Sequence, residues 1–574
     1  MSASYIWRSW LLAVVAGLFH ACTAPAQSGV SFSYSIEKEI IADSAAVVSA
    51  HPLATQVGVE VLKKGGNAVD AAIAVQFALA VVYPQAGNLG GGGFMVYYNS
   101  ASGEMTALDY REKAPAAAHE RMYLDSAGNV LTVKSRYGAL ACGVPGSVDG
   151  MWKAHRRYGR LKWAALVEPA IELADKGFQI TEREAEHLNQ ERDNFLRHNR
   201  RETAFVRAVP WKAGDLLVQK ELANTLRRIA QNGRNGFYEG ATAALIVAEM
   251  KRQGGLITRA DLRRYRSVWR KPLVFSWRDL RIISMPPPSS GGLLLAQMLT
   301  MLGDTDLRAK GFHSAAAVHQ IVEIERRAYA DRARHMADPD FWPVPVDSLL
   351  DENYLRARMA NFDPERATPS QTIKAGVFRG ISEETTHLSI VDAEGNAVAV
   401  TTTLNDAYGS RVVVAGAGFI LNNEMDDFSA KPGAPNLYGA IGGKANAIAP
   451  GKRPLSSMTP TIVLQRGQLS LVVGTPGGTT IPTSVLQILL NVYEFHLPLR
   501  EAVHSKRFHH QWEPDFIYYE EGAFSADVRE RLQAMGHTLR QRGAIGRVEA
   551  ILRQPDGRLR AVADDRGDDA AGGY

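Results

Sequence analysis

The 574-residue chain reads as a mixed α/β protein, and three observations lead there. Two β-branched, alternating runs, TTHLSIVD (385–392) and NAVAVTTT (396–403), flank Ala393, Glu394 and Gly395. That is the pattern of a hairpin whose glycine takes the left-handed position of a three-residue loop. Helical periodicity recurs in amphipathic segments between Gly143 and Met285 and again from Ala315 to His335. Hydrophobic residues make up 46% and charged residues 22%, an ordinary globular balance, so the class follows from pattern and not from compositional bias. Length alone allows roughly three or four domains, and one large layered α/β domain fits as well.

The N-terminus reads as an export signal. Arg8 precedes the apolar run LLAVVAGLF (11–19), and Ala24-Pro25-Ala26 offers small residues for cleavage after Ala26. The expectation is a signal peptide over 1–26 and a periplasmic or secreted product. The apolar run is too short to span a bilayer as a helix. Cys22 gives a second reading, lipid anchoring of the exported protein, which the preceding Phe-His-Ala fits poorly. Once Cys22 leaves with the signal, Cys142 has no disulfide partner, so the core must carry stability. The net charge of +5 comes from interspersed Lys, Arg, Asp and Glu, without a basic and aromatic stripe, which argues against a nucleic-acid groove.

In chain order, a strand is expected near Val47, a helix from about Pro52 to Lys64, and a second helix from about Val69. This second helix is apolar nearly all round and so should be buried. Gly90 to Gly93 then lead into an apolar strand. No Lys-Ser or Lys-Thr follows them and they open no helix, so a nucleotide cradle is rejected in favour of close backbone packing. Arg111 falls on a turn after a strand, where an exposed arginine is the ordinary expectation.

Thr258 with Asp261 resembles a capping box, and MPPPSSGG (285–292) should end one strand and start a helix. Strands are expected at Val412–Val414 and Gly418–Leu421, and again on either side of Arg466-Gly467, with an apolar helix from about Ile481. His504, His509 and His510 lack the spacing of a metal site and should serve packing or hydrogen bonding. DDRGDDAAGGY should be an exposed tail.

Within the hairpin, the register that pairs Asp392 with Asn396 also sets Leu388 opposite Val400 and Thr385 opposite Thr403. Two threonine hydroxyls would then face each other, their Cβ atoms about 5 Å apart. Threonine is common in strands, and alone the pair would mean no more than that.

LDYREKAP (108–115), TTHLSIVD, LNNEMDDFS (421–429), KRPLSSMTP (452–460) and GTPGG (474–478) occur in that order. With them the chain resembles the γ-glutamyltranspeptidases, N-terminal-nucleophile hydrolases, from about Val47 to the C-terminus. The resemblance implies a four-layer αββα sandwich. It also implies self-cleavage between Glu384 and Thr385 into a large fragment (27–384) and a small one (385–574), interleaved in one globular heterodimer.

Thr385 would be the nucleophile, Thr403 its hydrogen-bonding partner, and Gly477 and Gly478 the oxyanion donors. Asn405, Glu424 and Asp427 would hold a substrate ammonium; Arg111, Ser456 and Ser457 would hold its carboxylate. The loop from about Pro432 to Gly443, with Tyr438, would cover the pocket. Substrates would be γ-glutamyl compounds such as glutathione, with water, amino acids or peptides as acceptors; no metal or organic cofactor is implied. Two rival readings are a glutaryl (cephalosporin-type) acylase, against which Glu424 and Asp427 argue, and an exported binding protein without catalysis.

Overall fold

The computed structural model describes residues 33–373, 385–431, 433–434, 436, 439 and 442–574. The signal-peptide reading with Cys22, and the cleavage-site residue Glu384, lie outside them. Two seven-stranded sheets dominate, and every pairing within them is antiparallel. One sheet runs, in spatial order, Ala570–Gly573, Ala46–Ser49, Thr386–Val391, Ala397–Thr403, Gly92–Tyr98, Met105–Asp109, Val268–Arg270. The other runs Glu39–Ala42, Leu559–Ala563, Glu549–Arg553, Gln468–Gly474, Thr461–Gln465, Leu280–Ser284, Leu273–Trp277.

Strand alternation builds three layers of core from these sheets. In Ala397–Thr403, Ala397 and Ala399 face the second sheet, packing in a cluster with Ile462, Val472 and Ile551. Val398 and Val400 face the other way, toward the helices Pro52–Lys63 and Ala68–Val82. On the far side of the second sheet, Val463, Leu471 and Val473 pack with the helices Gly291–Leu302, Ala315–His335 and Ile481–Leu489. The result is helices, sheet, sheet, helices, the expected αββα sandwich.

The helix Ala68–Val82 is buried at every position and capped by Asn67 and Asp70 in a reciprocal box, so its unvaried apolarity has a direct cause. The box at Thr258 and Asp261 also forms.

Three expectations fail. Val412–Val414 and Gly418–Leu421 touch through one bridge, Val413 to Ile420, because Arg411, Gly416 and Gly418 take positive φ and turn the chain too often for a ladder. The C-terminus is no exposed tail: Ala570–Gly573 pairs with Ala46–Ser49, and Ser44 and Ala45 both donate to the carbonyl of Tyr574. The stretch from Gly143 to Met285 is not helical up to the strand Leu280–Ser284 that MPPPSSGG ends as expected: Val268–Arg270 and Leu273–Trp277 are also strands, one at an edge of each sheet.

Candidate active site

The hairpin forms in the expected register, with Thr386 opposite Thr402 and Leu388 opposite Val400. Asp392 N donates to Asn396 O at 3.0 Å, and Gly395 has φ 79°. Thr385 is the residue before the first paired position. It is buried and shares a cavity wall with Thr403. Thr403 Oγ1 accepts from Asn405 N at 2.7 Å, a bond made available by the left-handed conformation of Asn405, φ 78°.

The glycine run holds this strand end from beneath. Asn88 Nδ2 donates to Thr403 O at 2.9 Å and to Thr402 Oγ1 at 3.1 Å. A Cβ on Gly91 would sit 2.0 Å from Thr403 O, and one on Gly93 would sit 2.6 Å from Thr401 O. These glycines therefore allow backbone to touch backbone under the site, as the sequence suggests.

Arg111 follows the strand Met105–Asp109 and is buried, not exposed. Its guanidinium bonds Glu424 and Asp427 directly, and Nε reaches Pro454 O at 3.3 Å. Glu424 and Asp427 are the ends of one short 3-10 turn, Glu424–Asp427, whose Glu424 N is held by Asn422 Oδ1 at 3.0 Å. Cation and acceptors thus stand side by side in one buried cluster.

Glu112 adds a third buried carboxyl, 3.7 Å from Arg111. Burial raises the pKa of all three carboxyls, with Arg111 opposing; Glu112 is pushed up to about 7, and Glu424 goes well above the carboxylate range. Burial also works against the charge of Arg111, but Glu424, Asp427 and Glu112 together hold its pKa above the ordinary arginine value. The two directions agree physically: one guanidinium stays charged, and three carboxyls around it cannot all be ionised.

Ser456 and Ser457 approach from a loop clamped by the PPPSSGG segment. Ser456 N donates to Pro288 O at 3.0 Å, and Ser290 donates to Ser456 O through N at 2.8 Å and Oγ at 2.7 Å. Gly477 and Gly478 follow the strand Gln468–Gly474 with φ of 135° and 51°, conformations that favour glycine. Gly478 lines the cavity beside Thr385.

Behind this turn, Thr479 Oγ1 donates to Gln511 Oε1 at 2.6 Å, and His509 Nε2 contacts the same oxygen at 2.9 Å. Burial pushes the His509 imidazole down to about 3, so it works there as a neutral hydrogen-bonding group. The histidine-rich segment serves hydrogen bonding, as expected. Tyr438 lies outside the described residues; Asn436 donates to Asp427 Oδ1 at 2.8 Å and lines the cavity.

Among the described residues, one set of potential metal ligands lies close together, His319, Glu323 and His537. Hydrogen bonding explains it: His319 Nδ1 meets His537 Nε2 at 2.7 Å, His319 Nε2 meets Asp363 O at 2.8 Å, and Glu323 is engaged by Arg326 and Arg327. None of the three lines the cavity.

Sequence reading missed Arg332, which does line it and donates to Ser457 Oγ at 3.1 Å. It sits on a helix read as amphipathic but buried on nearly every face. The available signal was the PPPSSGG loop, whose Ser290 is its other partner.

Thr385 and Thr403, Gly478, Arg111, Asn405, Glu424, Asp427, Ser456 and Ser457 all reach this one cavity. The chain is also similar to known proteins over nearly its whole length. The family model described as gamma-glutamyltranspeptidase matches residues 54–574. A glutathione hydrolase proenzyme from Escherichia coli is 44% identical over 580 residues, covering 100% of this chain and 99% of its own. The corresponding proenzyme of Pseudomonas aeruginosa is 47% identical over 531 residues, covering 92% and 94%. The crystal structure of a cephalosporin acylase from Bacillus halodurans superposes with a TM-score of 0.82 at 25% identity, covering 96% of this chain and 99% of that one. Sequence, fold and site together place this chain in the γ-glutamyltranspeptidase family, as an enzyme.

Proposed function

We propose that the chain is an exported precursor that cleaves itself before Thr385 and then acts as a glutathione hydrolase and γ-glutamyl transferase. The observation that carries this reading is the meeting, in one cavity, of a buried hairpin threonine with a site that offers a charge-paired arginine and two carboxylates.

Maturation begins when Thr385 Oγ attacks the carbonyl of Glu384. The acyl group shifts from nitrogen to oxygen, and water hydrolyses the ester, freeing the α-amino group of Thr385. That amine, whose ordinary pKa is about 7.7–8.0, is the base an internal threonine lacks. In the mature enzyme the neutral amine takes the hydroxyl proton as Thr385 Oγ attacks the γ-amide carbon. The oxyanion is met by N–H groups of the Gly477-Gly478 turn. The C–N bond breaks, the leaving amine takes the proton, and a γ-glutamyl ester of Thr385 remains. Water converts the ester to glutamate, while an amino acid or peptide amine converts it to a new γ-glutamyl amide.

Both sheets support a tightly joined heterodimer. The hairpin Thr386–Thr403 lies between Ala46–Ser49 and Gly92–Tyr98, strands from the other side of the cut. Export rests on the N-terminal signal, with Cys22 as the alternative anchor. No helix among the described residues is long and apolar enough to cross a membrane.

The acylase-like fold keeps one second reading open, a glutaryl acylase. A glutaryl group has the carboxylate but not the ammonium, so Glu424 and Asp427 would have no cation to meet. Comparing γ-glutamyl p-nitroanilide with glutaryl p-nitroanilide decides: the proposal requires kcat/KM to favour the γ-glutamyl compound by about 10-fold or more, and equal or reversed preference would sink it.

A further inference from the structure

The helix Ala315–His335 lies before the proposed cut and carries side chains to two walls of the cavity. Tyr329 Oη donates to Thr479 O, next to Gly478. Three residues on, Arg332 donates through Nε to Ser290 Oγ at 3.0 Å and through a terminal nitrogen to Ser457 Oγ at 3.1 Å. Ser290 Oγ in turn donates to Ser456 O, so Arg332 braces both serines of the expected carboxylate subsite.

Arg332 is 6% exposed and forms no ion pair among the described residues, whereas Arg326 and Arg327 on the same helix are both paired to Glu323. Two neutral hydroxyls do not balance a buried charge, whose transfer from water costs several kcal/mol. Burial accordingly pulls its pKa below the ordinary arginine value. A guanidinium has five N–H donors, and Arg332 lines the cavity.

The charge count of the cavity sharpens the point. Arg111 is engaged by both Glu424 and Asp427. Its guanidinium is therefore already engaged by carboxyls before any α-carboxylate arrives. An amino-acid head brings an anion as well as a cation, and on the serine side of the cavity Arg332 stands as a second cation with no ion pair among the described residues.

We propose that Arg332 is this second cation: a specificity-determining residue that attracts the substrate's free α-carboxylate and orients the Ser457 hydroxyl toward it. This rests on the γ-glutamyl reading above. It predicts that acyl donors lacking a free α-carboxylate, such as α-amides or α-esters, are discriminated against through Arg332 as well as Arg111.

The test uses the cleaved enzyme and the variants Arg332→Gln and Arg332→Lys, with γ-glutamyl p-nitroanilide as substrate and L-glutamate as product inhibitor. Loss of a charged hydrogen bond to the carboxylate should raise both KM and the glutamate inhibition constant about 10- to 100-fold in Arg332→Gln, with a smaller change in kcat. Arg332→Lys, which keeps the charge but not the fork, should recover part of that loss.

A KM and inhibition constant within about twofold of the parent in cleaved Arg332→Gln would overturn the proposal. So would a loss confined to kcat, since that would mark a purely structural role near Thr479. Should Arg332→Gln fail to cleave, Arg332→Lys decides: a KM raised about 3- to 10-fold is required, and one within about twofold of the parent refutes it. A cleaved parent that ignores γ-glutamyl p-nitroanilide altogether would instead bring down the functional reading itself.

Discussion

Substituting Gly91→Ala perturbs the site without touching any group proposed to meet substrate. The new Cβ would lie 2.0 Å from Thr403 O and 2.7 Å from Asn88 Oδ1, where ordinary contact begins at 3.4 Å. Thr403 O is backbone, pinned by Asn88 and by the ladder to Gly92, so the strand end must move by about 1.4 Å to clear it. Forced repacking of this kind costs about 1–3 kcal/mol of stability. A displacement near 1 Å at reacting groups costs on the order of 100-fold in rate. We therefore expect Gly91→Ala to cleave slowly and, once cleaved, to turn over γ-glutamyl p-nitroanilide about 100-fold more slowly, with a lower urea midpoint. Cleavage followed on denaturing gels and kcat on the purified heterodimer measure both effects. A variant that cleaves and turns over within about twofold of the parent would refute the claim that the glycine run positions Thr403.

Asp427→Asn keeps shape but removes one carboxylate from the expected ammonium site; kcat/KM for γ-glutamyl p-nitroanilide should drop about 10- to 100-fold while that for the glutaryl compound holds or rises. Burial pushes His387, His509 and His537 down to about 3 and His510 down to about 4. Because these imidazoles bind protons less readily folded than unfolded, their contribution is complete above about pH 6.5 and is lost as pH falls toward 4 and 3. Urea titrations from pH 7 to pH 4 should show the midpoint falling, and His509→Gln should flatten the slope. Deleting Ala570–Tyr574 removes an edge strand from Ala46–Ser49 and the carbonyl that binds Ser44 and Ala45, so the truncated chain should melt lower and cleave poorly on the same gels.

What could be read from the sequence follows from how local each determinant is. The hairpin was legible because alternation and Gly395 specify register within twenty residues, and the ladder keeps that register. The capping box at Thr258 was likewise short-range. Arg111, Glu424 and Ser457 were nameable only through family motifs, because each alone is an ordinary polar residue and their meeting depends on tertiary structure.

Failures came where tertiary context decides. Ala570–Gly573 has small side chains and weak strand propensity, yet it pairs because Ala46–Ser49 presents an open edge. Val412–Val414 has strong propensity, yet positive-φ residues around it prevent a ladder. Arg332 was hidden because a charged helix ordinarily faces solvent; here Arg326 and Arg327 pair with Glu323 inside the protein, while Arg332 is buried with no ion pair among the described residues.

The central claim is that the nucleophile gains its base by chain cleavage. N-terminal sequencing of the purified protein's fragments after a denaturing gel tests it most directly. The account predicts two fragments, the smaller beginning at Thr385. A chain that stays intact while active, or a cut at another residue, would contradict it.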